Sequence, residues 1–251
     1  MIAITREVSR SLGDCELTWL DRQPIDIDKA IAQHRAYEAA LESLGAKIIS
    51  LPALEEHPDA VFVEDPAIVL DEAAITTMGA ASRRGERPSL AKALAEFRPL
   101  IQMHEPAKLE GGDVMRVERD LYIGLSARTD QAGIDQLKDL IAPLGYRVTA
   151  MHLKNCLHLK SACCHIGDGT ILINKAWVDP KPLEHYRLIA VDPEEPAAAN
   201  ALRVGESVII PTSFPKTAAK LQTEGFKVQT VDVSELMKAE SGVTCSSLLL
   251  E

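Results

Sequence analysis

One local pattern occurs five times along this chain, and it constrains the fold more than any other feature of the sequence. Short β-rich runs recur, and most of them follow a stretch with helical periodicity; they occupy residues 44–52, 97–106, 144–153, 185–193 and 224–233. Gly45, Gly145 and Gly225 stand where a left-handed glycine typically ends a helix. The clearest helical stripe precedes Gly145 and consists of Ile134, Leu137, Leu140, Ile141 and Leu144.

A second apolar stretch with embedded polar residues follows each run. These stretches occupy residues 61–69, 109–117, 157–166, 196–204 and 242–250. In four of the five cases turn residues come next, and then another apolar strand, at residues 73–79, 121–126, 170–178 and 207–213. Two apolar strands joined by a turn indicate a β-hairpin. The sequence therefore predicts four hairpins, each embedded in an α/β repeat.

The fifth repeat lacks a returning strand, but the chain opens with the unpaired strand MIAIT. If residues 1–5 pair with residues 243–250, the two ends of the chain complete the fifth hairpin. Units of roughly 50 residues that cannot bury a face alone close well into a ring, which leaves few exposed strand edges. We therefore predict one α/β domain spanning residues 1–251, a five-bladed propeller of ββαβ-like pseudo-repeats. An ordinary open α/β sheet is the alternative, since strands and helices alternate there too.

Polar residues occupy the same level of the five embedded stretches. Alignment of the repeats brings the pair Glu64–Asp65 to the level of Glu110, His158, Asn200 and Cys245. In a closed ring these positions converge on the axis, so carboxylates, an imidazole and a thiol would share one pocket. A Cys and a His brought together by the fold are a candidate nucleophile and its general acid/base.

Charge and cysteine content narrow the class of protein. A net charge of −10 and a pI near 5.2 leave no basic surface for nucleic acid. The five cysteines are odd in number and irregularly spaced, which favours reduced thiols in the cytoplasm over a disulfide framework. The N-terminal residues do not resemble a signal peptide, and no apolar run approaches the ~20 residues of a membrane span. We therefore predict no membrane partner.

A cluster of three cysteines and two histidines between Cys156 and His165 suggests zinc at first sight. However, Cys163 and Cys164 are neighbours on a predicted strand, so their side chains point to opposite faces. The spacing also fails to match a structural zinc motif. We predict no metal site.

With these residues identified, the chain resembles the dimethylarginine dimethylaminohydrolase family of the guanidine-modifying (pentein) superfamily. The resemblance runs from SRSLGDCEL to GVTCSSLLL and is carried by VFVEDPAIV, GAASRRGE, LEGGDVM, YIGLSARTDQAG, LHLKSA and TCSSLL. It implies the pentein fold, a five-bladed α/β propeller. It also implies a hydrolase that acts on linear amidines without a metal or an organic cofactor.

The resemblance assigns roles residue by residue. Cys245 matches the nucleophile, His158 the general acid/base, and Glu110 the carboxylate that orients the imidazole. The remaining positions match substrate contacts: the guanidinium ligands Glu64 and Asp65, the carboxylate clamps Arg83 and Arg128, and the flanking residues Leu17, Asp59 and Phe62. Leu17 would belong to a lid whose main chain meets the α-amino group.

The implied reaction converts Nω-methylated arginine to citrulline and an alkylamine through a covalent thiouronium on Cys245. Arginine deiminases usually carry an aspartate two residues after the histidine. Here Lys160 occupies that position, which favours an Nω-substituted substrate over arginine itself. A hydrolase of Nω-hydroxyarginine stays open as an alternative, as does a non-catalytic pentein that binds another macromolecule. The expected partner is a small guanidino amino acid, and a homodimer stays open.

Overall fold

Fifteen strands form five three-stranded sheets within residues 1–77 and 79–251, the part of the chain that the computed structural model describes. The strands are β1 (Ile2–Arg6), β2 (Lys47–Leu51), β3 (Ala67–Val69), β4 (Ala74–Thr76), β5 (Leu100–Gln102), β6 (Val114–Val117), β7 (Asp120–Leu125), β8 (Arg147–His152), β9 (Cys163–Gly167), β10 (Thr170–Ile173), β11 (Arg187–Ala190), β12 (Leu202–Val204), β13 (Ser207–Pro211), β14 (Lys227–Val231) and β15 (Leu248–Leu250). The α-helices are α1 (Ile27–Ser43), α2 (Arg87–Leu94), α3 (Gln131–Ile141), α4 (Leu159–Ala162), α5 (Pro215–Thr223) and α6 (Ser234–Met237).

All five sheets share one connection pattern. The middle strand pairs antiparallel with an inner strand and parallel with an outer strand, as in the orders β3-β4-β5, β6-β7-β8, β9-β10-β11 and β12-β13-β14. The antiparallel pair is a hairpin, whereas the parallel pair needs a crossover connection. α2, α3 and α5 supply that crossover in three of these repeats, and the short 3-10 helix Lys181–Leu183 lies in the fourth. The predicted ββαβ-like repeat is therefore confirmed; of its residues, Met78 lies outside the described part.

The two ends of the chain complete the remaining sheet, β15-β1-β2. β1 pairs antiparallel with β15, with Ile2 opposite Leu250, and parallel with β2, with Ile2 opposite Lys47. α1 is the crossover between β1 and β2. The predicted pairing of the terminal strands is confirmed, and it gives β1 a neighbour on both sides.

The helix ends follow the capping rules. Asp26 and Asp130 lie before α1 and α3, and their side chains accept hydrogen bonds from the N–H groups of Lys29 and Gly133. The glycines predicted to end helices have the expected left-handed backbone, with φ of 92° at Gly45, 79° at Gly145 and 93° at Gly225.

The inner segments of the five repeats succeed one another around a common axis. β15 contacts β3, β6 contacts β9, and β9 contacts β12. Gly111 N–H donates to Asp65 O (2.9 Å), and Asn200 Nδ2 donates to Thr244 Oγ1 (3.0 Å), which links the remaining neighbours. Apolar side chains between adjacent repeats form the core, for example Ile166, Leu172, Val208 and Ile210 between the last two sheets. None of the described helices has both the length and the apolar character that crossing a bilayer requires.

The polar residues singled out in the sequence lie just before the inner strands, not within them as the apolar pattern suggested. Cys245, for instance, lies in a turn three residues ahead of β15. In these turns the backbone pairs with the neighbouring repeat instead of its own hairpin: Glu64 N–H donates to Cys245 O at 3.2 Å. In each repeat the chain therefore passes the axis before its hairpin begins. The side chains of the turn before the hairpin face the space at the axis that the five repeats share.

Candidate active site

Eight of the ten residues selected from the sequence line one small cavity of about 30 Å³ at the axis. They are Asp59, Phe62, Asp65, Arg83, Glu110, Arg128, His158 and Cys245. Glu16, Leu157, Ala239, Glu240 and Ser241 complete the lining and were not anticipated as site residues. The volume holds little more than one water molecule. The site is thus assembled but closed.

His158 and Glu110 form a buried pair. Their atoms Nε2 and Oε2 lie 2.7 Å apart. Burial alone would lower the pKa of His158, but the carboxylates of Asp65, Asp113 and Glu110 raise it to about 9. Burial would likewise raise the pKa of Glu110, whereas the hydrogen bond to His158 and nearby positive charges lower it to about 2. The pair is therefore an imidazolium and a carboxylate at neutral pH.

Asp113 supports this pair from behind and was not selected from the sequence. Its Oδ1 accepts the Leu159 N–H at 3.0 Å, next to His158, and its Oδ2 accepts from the hydroxyls of Ser126 and Thr129 at 2.6 and 2.7 Å. The latter two residues flank Arg128. One buried carboxylate thus fixes the backbone next to two site residues. Its position in the motif LEGGD is the sequence feature that could have identified Asp113.

Cys245 contributes a half-buried thiol. Gly242 N–H donates to its Sγ at 3.3 Å. Burial and the charges of Glu64 and Asp65 raise the pKa of the Cys245 thiol above its ordinary value, and the Gly242 N–H and Lys160 only partly oppose them. The sulfur is therefore a neutral thiol at pH 7. A cation that entered the cavity would favour the thiolate.

Asp65 presents a buried oxygen without a hydrogen-bond partner. Its Oδ2 pairs with Arg83, while Oδ1 has no partner and lies 3.9 Å from His158 Nδ1. Gly112 makes this approach feasible, since a Cβ there would lie 2.7 Å from both Asp65 Oδ1 and His158 Nδ1. Buried polar atoms are normally satisfied. An unpaired carboxylate oxygen beside a thiol and an imidazolium is suited to accept an N–H from a ligand.

The Glu64 side chain lies outside the catalytic cavity, on the far side of the residues that line it. It lines a second cavity of about 600 Å³ together with Lys160, and its carboxylate is ion-paired with the Lys160 ammonium. Thr244 Oγ1 donates to its other oxygen at 2.8 Å. Burial raises the pKa of Glu64, and Lys160 opposes that shift. Glu64 thus faces the catalytic cavity only through its neighbours Asp65 and Thr244.

The two arginines differ in their partners. Arg83 is saturated by Asp65, by Glu86 at 2.8 Å and by the carbonyl oxygens of Asp59 and Phe62. Arg128 lies 3.7 Å from Glu110, and its other terminal nitrogen contacts Glu16 at 3.1 Å, a carboxylate with 42% of its side chain exposed. The same nitrogen of Arg128 also donates to Thr18 Oγ1 at 3.1 Å, so an incoming anion reaches this guanidinium by displacing the Glu16 carboxylate and the Thr18 hydroxyl.

The loop of residues 16–20, which we call the covering loop, borders the cavity through Glu16. The backbone N–H groups of Thr18, Trp19 and Leu20 all donate to the carboxylate of Glu240, and Glu16 N–H donates to Asp59 Oδ2 at 3.1 Å. Leu17 itself packs against the neighbouring core and does not line the cavity. Burial raises the pKa of Asp59.

Asp65, Glu110 and His158 also bring one ligand atom each to within 4.8 Å of one another, which is a donor set suited to a divalent metal. The same carboxylates already face cations, Arg83 on Asp65 and Arg128 near Glu110. The arrangement therefore favours an organic cation or a proton over a metal ion.

Known proteins share both this sequence and this architecture. A family model described as N,N dimethylarginine dimethylhydrolase, eukaryotic, matches residues 18–213. The N(G),N(G)-dimethylarginine dimethylaminohydrolase of Pseudomonas aeruginosa is 36% identical over 98% of this chain and 97% of its own length. The Streptomyces coelicolor enzyme of the same name is 36% identical over 99% of this chain and 96% of its own length.

A solved structure of the Pseudomonas aeruginosa enzyme, a cysteine-to-serine variant complexed with citrulline, superimposes with a TM-score of 0.93. It shares 35% identity and covers 98% of this chain and 97% of the other. Five mixed β-sheets lie around one axis, and a thiol, an imidazole and carboxylates face one cavity. This combination defines a pentein hydrolase. The chain belongs to the dimethylarginine dimethylaminohydrolase family. The predicted fold, enzyme class and family are confirmed.

Proposed function

We propose that this protein hydrolyses Nω-methylated arginine to citrulline and an alkylamine through a covalent intermediate on Cys245. One observation carries the proposal: the unpaired, buried Oδ1 of Asp65 faces the same cavity as the Cys245 thiol and the His158 imidazolium. A carboxylate oxygen that lacks a donor, beside a nucleophile and an acid, fits a substituted guanidinium. The names of the relatives support the same substrate class.

Charge complementarity orients the substrate. Asp65 accepts guanidinium N–H groups directly, and Glu64 adds negative potential through the wall, reduced by its Lys160 partner. Arg128 binds the α-carboxylate after Glu16 swings away, and Arg83 adds to the positive potential there. Asp59 and the main chain near Leu17 receive the α-amino group when the covering loop closes.

The protonation states fit the chemistry. His158 already carries a proton and Cys245 is neutral before substrate binds. The guanidinium cation lowers the cost of the thiolate, the thiol proton leaves to solvent, and the sulfur attacks the central carbon. The tetrahedral centre then expels the alkylamine as His158 donates its proton to the departing nitrogen. The product of this half-reaction is a thiouronium on Cys245.

Hydrolysis returns the enzyme to its starting state. His158, now neutral, takes a proton from water as the oxygen attacks the thiouronium carbon. That proton restores the imidazolium; the carbon–sulfur bond then breaks as the hydroxyl proton of the tetrahedral centre passes to the departing sulfur, which restores the thiol and releases the ureido product. Glu110 stabilises the charged imidazolium in both half-reactions.

Product analysis tests the proposal. Dimethylarginine, monomethylarginine, Nω-hydroxyarginine and arginine are incubated side by side, and citrulline and the released amine are quantified. We expect fastest turnover of the methylated substrates. Cys245→Ser should bind substrate but release no amine, whereas Cys164→Ala, at a buried thiol outside the active-site cavity, should retain activity. Preferred cleavage of Nω-hydroxyarginine, or turnover by Cys245→Ser, would overturn the proposal.

We also infer that residues 1–251 act as one domain and that the protein works in the cytoplasm. The pairing of the two terminal strands supports the first inference, since neither half of the chain has a complete set of sheets alone. Five unpaired cysteines support the second. Light scattering of the purified chain decides between a monomer and a homodimer.

A further inference from the structure

A second, apolar cavity lies directly beside the active site. It has a volume of about 180 Å³ and is lined mainly by Trp19, Leu20, Leu157, Trp177, Phe214 and Met237. We call it the side pocket. Trp19 and Leu20 form its edge on the covering loop and are 54% and 50% exposed. Large exposed apolar side chains around a concave site are typical of a ligand-binding surface.

The side pocket and the catalytic cavity share a wall. Leu157, Glu240 and Ser241 line both of them. Gly242 lines the side pocket, and its N–H is the group that donates to Cys245 Sγ at 3.3 Å. Leu157 precedes His158 in the chain. The sulfur thus contacts a residue of the side pocket, and the imidazole follows directly in the chain after a residue that lines both cavities.

Most of the remaining residues that line the catalytic cavity are charged, with Phe62 and Ala239 as the apolar exceptions. Asp65, Arg83, Glu110 and Arg128 bound it away from the side pocket. The nitrogen that departs must lie within reach of His158, because that residue protonates it. An alkyl group on this nitrogen would face charges in most directions, whereas toward Leu157, Ser241 and Gly242 it approaches the apolar space of the side pocket.

We propose that the side pocket receives the Nω-alkyl substituent of substrates with a chain longer than methyl, such as Nω-butylarginine. This inference rests on the proposed function and specifies its substrate class. The pocket volume equals about six water molecules at ~30 Å³ each, which is sufficient for a four-carbon chain. Such a chain would also cover the exposed surfaces of Trp19 and Leu20.

The affinity should therefore rise with the length of the substituent. Burial of one methylene is worth about a fourfold gain in binding. From methyl to butyl we expect about fourfold per added carbon in the Cys245→Ser variant, which retains bound substrate. Arginine, which has no substituent, should bind most weakly.

Tryptophan fluorescence reads out the pocket directly, because the sequence contains two tryptophans and both, Trp19 and Trp177, line the side pocket. Titration of Cys245→Ser with arginine and with the methyl, propyl and butyl derivatives should give emission shifts that grow with chain length. Trp19→Phe then reports on Trp177 alone, which does not belong to the covering loop.

A blocking variant tests the location. Ala197 is exposed and lines the side pocket, so Ala197→Phe should lower the ratio of butyl to methyl kcat/KM at least tenfold. Ala219→Phe, on the exposed face of α5, is the matched control and should leave the ratio unchanged. An equal effect of Ala197→Phe on both substrates would overturn the proposal.

The outcomes separate this inference from the proposed function. If methylarginine is cleaved but affinity does not rise with chain length, the side pocket proposal fails and the proposed function stands. If Nω-butylarginine shifts the tryptophan emission of Cys245→Ser but no substituted arginine is cleaved by the unaltered chain, the proposed function fails and the side pocket still binds the alkyl chain.

Discussion

His158 illustrates how the charges around one side chain can outweigh its burial. A buried imidazole is ordinarily neutral, yet three carboxylates surround this one, and its pKa rises to about 9. Glu110 is the direct partner, and Asp65 and Asp113 act at longer range. A proton donor is therefore in place before substrate arrives, which is the state that amine departure requires.

The pH dependence should follow from this residue. With the folded pKa at about 9 and an ordinary value of 6.5, the protonated form is favoured in the folded state. Its contribution to stability is complete below pH 6.5 and disappears as the pH rises through 9. We expect kcat/KM to fall above pH ~9. We also compare the free energy of unfolding of the unaltered protein with that of His158→Gln. The difference in favour of the unaltered protein should be about 3 kcal/mol larger at pH 6 than at pH 10.

Urea unfolding of the unaltered protein and of His158→Gln at pH 6 and at pH 10 measures this difference in stability. An advantage that does not change with pH would mean that His158 is not protonated in the folded protein. His158→Ala should also nearly abolish amine release, because the leaving group stays unprotonated; near-normal rates would move the acid role elsewhere.

Arg128 is the position at which recognition of the amino-acid part can be tested. Arg128→Ala should raise KM for methylarginine about 10- to 100-fold, because a charge-assisted hydrogen bond is lost. KM for methylguanidine, which has no carboxylate, should change little. Arg147→Ala is the control, since Arg147 pairs with Asp120 at the surface with 73% of its side chain exposed. Equal effects on both substrates would remove the clamp role.

Among the elements, the covering loop is the one that we expect to control substrate entry. Three consecutive backbone N–H groups, at residues 18–20, converge on the carboxylate of Glu240, and Glu240 has a left-handed backbone with φ of 59°. A non-glycine residue in that conformation is uncommon and is held by its surroundings. The catalytic cavity of about 30 Å³ is too small for an amino acid, so we expect this contact to open when substrate enters.

Glu240→Gln should loosen the loop, because hydrogen bonds to a charged acceptor are roughly twice as strong as neutral ones. We expect amide hydrogen exchange at residues 18–20 to speed up about tenfold, with exchange in the five sheets unchanged. Glu224→Gln, at an exposed ion pair with Arg187, is the control. Unchanged protection at residues 18–20 would show that Glu240 does not hold the loop.

On the scale of the whole molecule, the axis carries two cavities separated by a thin polar wall. Glu64, Lys160 and Thr244 form that wall, and they come from three different repeats. The catalytic cavity lies on one side and the larger cavity on the other. The site therefore exists only when all five repeats are folded and packed against one another.

That dependence predicts a single cooperative unfolding transition. Leu248 is 6% exposed on β15 and packs among apolar residues of β1 and the β3 repeat, so Leu248→Ala should destabilise the fold by about 2–5 kcal/mol. Leu100→Ala, at a leucine 41% exposed, should cost less than about 1 kcal/mol. Tryptophan fluorescence and circular dichroism should report the same midpoint; two separate transitions would contradict a single domain.

The sequence predicted the elements well because their signals are local. Helical spacing before Gly145, turn residues between apolar runs and the unpaired strand at the N-terminus each require only neighbouring residues. The grouping of Glu110, His158 and Cys245 also followed, because repeats of similar length place equivalent residues at equivalent levels. The roles of these residues remain predictions. The expectation that they lie within strands was wrong, because the inner turns bond to the next repeat.

The amino-acid sequence by itself thus determined the repeat, the closure by its two ends and the residue types that meet at the axis. Tertiary structure alone decided the unpaired oxygen of Asp65, the support from Asp113, the Lys160 partner of Glu64 and the Glu240 contact to residues 18–20. These interactions join groups that are far apart in the chain. Ion pairing and exclusion of water between such groups produce no repeating pattern in the sequence. Periodicity encodes the elements, whereas protonation and access depend on which side chains the closed ring brings together.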